Sequence, residues 1–154
     1  MSDRVSIKTD DGLCPAWEFH PAGTGPWPGV LLYMDGIGIR PAMHEIAERL
    51  AKGGYFVLLP DLYYRAGAYE PMNAMTVFAD PEQRTRLREK FMATTTTANM
   101  MRDTRVFFDH LASKKEVRGT KFGTTGYCMG GRLSLCATDR EWRSTLADSA
   151  RSPE

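Results

Sequence analysis

Two short, uninterrupted runs of apolar residues stand out along the chain, at residues 29–33 and 55–59. Such runs are typical of parallel strands, because helices cover both faces of a parallel sheet and leave it no polar face. Between the runs, apolar residues recur every three or four positions over 41–52, which is the spacing of an amphipathic helix. A proline in the first turn and a glycine pair after the last turn mark its ends. Strand, helix and strand in this order predict a right-handed βαβ unit.

The segments on either side of this unit extend the sheet. Residues 4–8 alternate polar and apolar, residues 10–12 form an Asp-Asp-Gly turn, and residues 13–19 follow, which together predict an antiparallel hairpin. A short strand is predicted at 121–125, and a glycine-rich turn joins it to a helix at 131–137. The predicted fold class is therefore α/β, a mostly parallel sheet with an antiparallel N-terminal hairpin on one edge and helices on both faces.

The middle of the chain predicts a loop and two helices. Residues 66–80 contain glycine, proline and asparagine without periodicity, which predicts an irregular loop that forms a lid or lines a pocket. Asp80 and Pro81 predict the N-cap and first residue of a helix that ends at Met92. The four threonines at 94–97 predict a break, and the helix after them carries an apolar stripe that is expected to pack in the core.

Composition describes an ordinary globular domain. The chain has 154 residues, of which 42% are hydrophobic and 25% charged, enough for one domain with a core. The net charge of +1 gives no reason to expect nucleic acid or an anionic membrane as a partner. No apolar run reaches membrane-spanning length and the N-terminus lacks the apolar core of a signal peptide, so a cytoplasmic location is expected. Three cysteines without metal-ligand spacing indicate neither a disulfide framework nor zinc.

Residues 126–131 read GYCMGG, which has the form G-x-nucleophile-x-G with cysteine as the nucleophile. In α/β-hydrolases this spacing makes a strained turn from strand to helix that exposes the nucleophile at the top of the sheet. The N–H of Met129 would then donate to an oxyanion, and the helix N-terminus would favour the thiolate form of Cys128. The alternative is a glycine-rich loop around a buried, inert cysteine.

Other candidate residues point less clearly to chemistry. The glycines at 36 and 38 could begin a dinucleotide fingerprint, but the third glycine is missing and Pro41 stands in its place. That interpretation is rejected, and no cofactor is expected. His20 is expected at the surface, His44 in solvent on the first helix, and His110 as a charge partner at a helix C-terminus.

Three segments together resemble the dienelactone hydrolase family. They are YMDGIGIR at 33–40, LPDLYYR at 59–65 and GYCMGGRLSLCA at 126–137. The resemblance covers residues from about 4 to 137 in the family's order and spacing. It implies an α/β-hydrolase sheet and a Cys-His-Asp triad that acts on small lactones or carboxylic esters.

The resemblance also implies roles for single residues. Cys128 matches the nucleophile. Asp35 matches the family's acidic residue, usually a glutamate, that interacts with the thiol; the alternative is an Asx residue that forms the turn. Arg88 matches an arginine that holds the substrate carboxylate, and the alternative is a solvated helix arginine. The backbone N–H groups of Met129 and Ile37 would form the oxyanion hole, and Tyr127 would contact the substrate.

The chain departs from the family pattern after the GYCMGG turn at 126–131, here called the elbow. All three histidines precede Cys128, whereas the order in α/β-hydrolases is nucleophile, acid, histidine. We therefore expect a C-terminally truncated domain, with residues 1–137 as the N-terminal part of a single domain and 138–154 as a polar tail foreign to the family. A thiol without an oriented base is expected to show little or no turnover.

Two classes of function remain open. In the first, the chain is a hydrolase whose partner is a small lactone or ester. In the second, it is a non-catalytic fragment or interaction module that forms a homo-oligomer through an exposed sheet edge. An esterase assay with Cys128→Ala as the control distinguishes the two classes.

Overall fold

The computed structural model describes residues 2–138 of the chain. Within this range the strands and α-helices are β1 Ser2–Thr9, β2 Gly12–Phe19, β3 Gly29–Tyr33, α1 Pro41–Lys52, β4 Phe56–Pro60, α2 Ala74–Ala79, α3 Pro81–Arg86, α4 Thr97–Ser113, β5 Gly123–Gly126 and α5 Met129–Thr138. Shorter helical turns lie at Tyr64–Ala66, Leu87–Phe91 and Met92–Thr94. The polar tail predicted at 138–154 lies outside the described residues, apart from Thr138 at the end of α5.

The strands form one mixed sheet in the order β1-β2-β4-β3-β5. β1 pairs with β2 and β2 with β4 in antiparallel fashion, whereas β4, β3 and β5 run parallel. The predicted α/β fold with an antiparallel hairpin on one edge is therefore confirmed. The strand predicted at 29–33 has those bounds in the structure, and the strands predicted at 55–59 and 121–125 differ by one or two residues at their ends.

Neighbouring residues of β2 show that helices cover both faces of the sheet. Trp17 and Phe19 lie edge-on to His44 of α1, with ring centroids 5.1 and 5.6 Å apart. Glu18, between them, points the other way and accepts a hydrogen bond from His110 of α4. Because successive side chains of a strand point to opposite faces, α1 and α4 lie on opposite sides of the sheet.

The two central strands form the middle of the core. Every residue of β3 and of β4 is buried, as the uninterrupted apolar runs predict. Helix α1 buries Met43, Ala47 and Ala51 against one face. On the other face, Phe107 and Leu111 of α4 are buried, so the apolar stripe on this helix packs in the core as expected.

The loop predicted at 66–80 is partly helical. Asn73 accepts hydrogen bonds from the backbone N–H groups of Met75 and Thr76, and Val77 is buried beneath the turn. A side-chain cap and one buried apolar residue thus stabilise α2, which is too short to show a sequence period. The prediction of an irregular segment was wrong for Ala74–Ala79.

The helix predicted after Asp80 is present but changes form. The Asp80 carboxylate accepts from the N–H groups of Glu82 and Gln83, so the predicted N-cap is confirmed. After Arg86 the helix widens into a π-helix over Leu87–Phe91, which buries both of its end residues. π-Helical turns are rare and are frequently found at functional sites.

Candidate active site

Cys128 lies at the turn between β5 and α5. The strand ends at Gly126, the helix begins at Met129, and the φ of Cys128 is 55°, the one positive φ at a non-glycine residue within the described range. A left-handed conformation at a residue with a side chain is strained, and such strain occurs at functional sites. The geometry is the strand–turn–helix that GYCMGG predicts, and Cys128 is exposed rather than buried.

Two glycines allow this turn to pack closely. A Cβ atom on Gly130 would lie 2.5 Å from the carbonyl oxygen of Tyr33, and one on Gly126 would lie 2.5 Å from the carbonyl carbon of Gly130. Both distances are far below van der Waals contact with backbone, which cannot move aside. The first turn of α5 therefore rests directly on the end of β3, and this contact fixes the position of Cys128.

The elbow and the loop after β3 lie at the same edge of the sheet. β3 and β5 pair in parallel with Tyr33 opposite Gly126. Asp35 and Cys128 therefore each lie two residues beyond the paired positions, at the carboxyl ends of neighbouring strands. Open parallel sheets bind their ligands at this edge.

Tyr63 packs under this edge, and its role was not predictable from the sequence pattern. Its hydroxyl donates to the carbonyl oxygen of Gly36 at 2.7 Å. Burial raises the pKa of Tyr63, and negative charge on Asp35, Asp61 and Cys128 raises it further. The phenol is therefore a fixed donor at neutral pH.

Asp35 is held by its own loop. Its Oδ1 accepts from the backbone N–H of Ile37 at 2.9 Å and from Nη1 of Arg40 at 2.7 Å, and its Oδ2 accepts from Nη2 of Arg40 at 2.8 Å. The first contact is the Asx turn that was the alternative interpretation of this residue. The others, from Arg40, make a bidentate ion pair that the sequence did not predict, since Arg40 entered there only as the last residue of the segment at 33–40.

The two predicted oxyanion donors differ in availability. The N–H of Ile37 already donates to Asp35. Met129 is the first residue of α5, where backbone N–H groups have no partner within the helix. Its side chain is buried, and the hydroxyl of Thr95 donates to its sulfur at 3.5 Å. The N–H of Met129 is thus the donor that the local geometry leaves beside Cys128.

The two residues predicted to contact substrate lie at the surface. Arg88 is in the π-helix, its side chain is 73% exposed, and it lies 3.6 Å from a carboxylate oxygen of Glu89. Tyr127 immediately precedes the candidate nucleophile and is 61% exposed. Tyr127 is therefore next to Cys128 by connectivity, while Arg88 forms an ion pair with its own neighbour, Glu89.

The three histidines contact residues of elements other than the turn that carries Cys128. His44, expected in solvent, is instead half-buried against aromatic rings of β2, and burial lowers its pKa. His110 pairs with Glu18 at 2.6 Å, and His20 stacks on Trp27 at 5.4 Å. Since β4 and β3 separate β2 from β5, the strand that carries Glu18 lies roughly 14 Å from β5 at the usual strand spacing.

A cavity of about 620 Å³ opens on the α1 side of the sheet. Its lining includes Trp17, Arg40, His44, Asp61 and Tyr69 but not Cys128. Within residues 2–138, no group of three histidine, cysteine or acidic side chains is arranged to hold a metal ion, and no helix is long and apolar enough to cross a membrane.

Comparisons with known proteins agree with the fold. The model of the dienelactone hydrolase family matches residues 15–147. A curated relative from Methylorubrum extorquens, which bears the name carboxymethylenebutenolidase, is 29% identical over 141 residues. The match covers 87% of this chain and 43% of that protein. A protein of the same name from Escherichia coli K12 is 29% identical over 134 residues, which cover 84% of this chain and 45% of the relative.

A solved structure of a dienelactone hydrolase from Klebsiella pneumoniae superposes with a TM-score of 0.72 at 22% identity. It covers 89% of this chain and 53% of that one. At this identity the likeness shows the fold alone. The chain spans about half the length of the relatives that it matches. Because the family match extends over most of its length, the chain belongs to the dienelactone hydrolase family.

Proposed function

We propose that this chain carries the nucleophile of a hydrolase that cleaves small lactones or carboxylic esters, with Cys128 as that nucleophile. The observation that carries the proposal is the left-handed φ of Cys128 at the junction of β5 and α5. A cysteine is held in this strained conformation where its side chain is exposed at the carboxyl edge of a parallel sheet. Membership of the family supports the hydrolase class.

The reaction begins with attack of the Cys128 thiolate on the carbonyl carbon. A sulfur–carbon bond forms, the carbonyl oxygen becomes an oxyanion, and collapse of this intermediate expels the alcohol oxygen with the bonding electron pair. The N–H of Met129 stabilises the oxyanion, with the N–H of Ile37 as the second donor. The N-terminus of α5 supports the thiolate, because the helix dipole favours negative charge there.

We further propose that the 154-residue chain is acylated but does not turn over. Water must attack the thioester in the second step, and a histidine base normally activates it. His20, His44 and His110 are all committed to contacts on other elements. The remaining alternative is a non-catalytic module that pairs through the edge of β5, which is the last strand in the sheet order.

Three further roles at this site are part of the proposal. Asp35 tunes the thiol once its carboxylate leaves Arg40, Tyr127 forms part of the substrate surface beside Cys128, and Arg88 selects acidic substrates. The exposure of the Arg88 side chain to solvent supports this last role, because a substrate carboxylate can approach it there.

Arg88→Ala should slow alkylation of Cys128 by iodoacetate more than by iodoacetamide, with Arg86→Ala as the matched control. Equal rates with both reagents would leave Arg88 a solvated helix residue.

The test of the proposed function is a stoichiometric acylation with p-nitrophenyl acetate. We expect one equivalent of p-nitrophenolate per chain, an acetyl group on Cys128 by peptide mass spectrometry, and no continued release. Cys128→Ala should abolish the burst. The control is Cys136, the partly buried cysteine of α5, and Cys136→Ala should retain the burst. Absence of the burst, or a burst that survives Cys128→Ala, would reject the proposed nucleophile.

A further inference from the structure

The carboxylate of Asp35 accepts a hydrogen bond from a backbone N–H, that of Ile37, which the proposed reaction needs as an oxyanion donor. Its Oδ1 accepts from the N–H of Ile37 at 2.9 Å, so this N–H already has a negatively charged acceptor. Two further hydrogen bonds from Arg40, at 2.7 and 2.8 Å, hold the same carboxylate in place. The side chains of Asp35 and Arg40 are 18% and 19% exposed, so solvent screens this pair only partly.

From this geometry we propose that Asp35 is an internal cap on the oxyanion hole, and that Arg40 is the positioning residue that holds the cap closed. The proposal rests on the proposed function of Cys128 and Met129. In this state the hole has one available donor, the N–H of Met129. The second donor, Ile37, becomes available only when the Asp35 carboxylate moves away.

The physical reason is that one N–H cannot serve two acceptors at full strength. A substrate oxyanion and the Asp35 carboxylate are both negative, so they cannot lie side by side at the N–H of Ile37 without strong repulsion. Hydrogen bonds to charged groups are about twice as strong as neutral ones, and a bidentate arginine adds geometric specificity. Three such bonds to one carboxylate make the closed arrangement the favoured one before substrate binds.

Tyr63 fixes the peptide that the cap acts on. Its hydroxyl donates to the carbonyl of Gly36, the residue between Asp35 and Ile37. This bond orients the Gly36–Ile37 peptide, so removal of the acceptor at position 35 should expose the N–H without turning it away. The side chain is therefore the movable part, and the backbone donor is the fixed part.

Two substitutions at position 35 separate capping from charge. Asp35→Asn removes the charge and the arginine pair but keeps a side-chain oxygen that can accept from Ile37. Asp35→Ala removes the charge and the acceptor together. Both leave Arg40 without its carboxylate, so any effect of freeing that guanidinium is common to the two variants. Thermal unfolding of each variant checks that the chain still folds.

The readout compares two reactions of the same sulfur in the full chain. With p-nitrophenyl acetate, the Cys128 thiolate forms a sulfur–acetyl bond through an oxyanion, and p-nitrophenolate leaves with the electron pair of the broken bond. With iodoacetamide, the thiolate displaces iodide and no oxyanion forms. The ratio of the two rate constants therefore reports the oxyanion hole and cancels changes in the thiolate fraction.

We expect Asp35→Ala to raise this ratio by about tenfold or more, since one oxyanion donor is typically worth a hundredfold or more in rate. In Asp35→Asn the ratio should rise several-fold less than in Asp35→Ala, because the amide oxygen of the asparagine still accepts from Ile37. Arg40→Gln, which weakens the hold on the carboxylate, should raise the ratio by an intermediate amount. This last variant tests the cap if Asp35→Ala does not fold.

Other outcomes overturn the cap. An equal rise of the ratio in Asp35→Ala and Asp35→Asn would show that charge repulsion alone is responsible. A fall of the ratio in both variants would show that Asp35 assists acylation in the resting chain. An unchanged ratio in Arg40→Gln would remove Arg40 as the positioning residue. If Cys128 is not acylated in any variant, the proposed function fails and the cap fails with it, which is distinct from acylation that position 35 does not affect.

Discussion

Neighbouring glycines at the start of α5 have very different room for a side chain. A Cβ atom on Gly130 would lie 2.5 Å from the carbonyl oxygen of Tyr33, whereas one on Gly131 would lie 3.3 Å from the carbonyl oxygen of Gly126. The first approach is impossible without a shift of α5 against β3. The second needs a movement of only a few tenths of an ångström.

Gly130→Ala should therefore lower the free energy of unfolding by about 1–3 kcal/mol, the usual cost of overpacking. Gly131→Ala should cost much less, because alanine also favours the helix over glycine by up to about 1 kcal/mol. Urea unfolding of the two variants measures the difference. Equal losses at both positions would mean that the contact between α5 and β3 is looser than these distances require.

At the residue scale, the sequence predicted which residues form the candidate site better than it predicted their contacts. The G-x-Cys-x-G pattern predicts a strand-to-helix turn directly, because the close packing of such a turn requires glycine at these spacings. The pair of Asp35 with Arg40 was not predictable in this way. A five-residue separation across a glycine-rich loop has no fixed geometry until the loop is folded.

At the scale of elements, Glu18 joins β2 to α4. Its carboxylate bonds to His110 at 2.6 Å and to Lys114 at 2.7 Å, and its side chain is 7% exposed. Burial alone would raise the pKa of Glu18, but these two hydrogen-bonded partners outweigh it and hold the pKa below its ordinary value of 4.5. Folding therefore favours the ionised form of this carboxyl.

A depressed carboxyl pKa stabilises the fold above pH 4.5, and this contribution is lost as the pH falls through the lower, folded-state value. Glu18→Gln should lower the free energy of unfolding at pH 7 and flatten its decline below pH 4.5. Glu45→Gln, at an exposed position of α1, is the matched control and should leave the decline of the free energy of unfolding below pH 4.5 unchanged. Urea unfolding between pH 3 and 7 provides the measurement. Parallel curves for wild type and Glu18→Gln would contradict the link.

The elements that the sequence predicted well are those with a long or repeated pattern. The apolar strands β3 and β4, the helix α1 and the cap at Asp80 are all at their predicted places. Helix α2 was missed because six residues hold fewer than two turns and show no period. The π-helix was also missed, since its extra residue per turn leaves no mark in composition.

At the scale of the whole molecule, the two edges of the sheet differ in chemistry. β1, on one edge, carries Asp3, Arg4 and Lys8, and charged edge strands resist pairing with another chain. β5, on the other edge, reads GTTG and has no charge. Near it, Leu135 on α5 is 75% exposed. We expect any self-association of the chain to use the β5 edge.

Sedimentation velocity over a range of concentrations should then show weak association that Leu135→Lys reduces. Leu13→Lys is a matched control, because Leu13 is 63% exposed but lies at the hairpin on the opposite side of the sheet. A new charge near β5 opposes close approach of a second chain, whereas one at the hairpin does not. Equal effects of the two variants, or a monomer at all concentrations, would reject the β5 edge as the contact.

The pairing of β3 with β5 also sets an order of events in folding. Leu31 and Thr124 are register partners, although most of the chain lies between them. Contacts of such long sequence separation form late, because closing the intervening chain costs entropy that only the rest of the fold repays. The backbone strain at Cys128 depends on the packing of α5 against β3, so it cannot exist before that closure. The chain thus forms the strained turn at Cys128 as one of its last steps, and an unfinished copy holds the same cysteine in relaxed backbone.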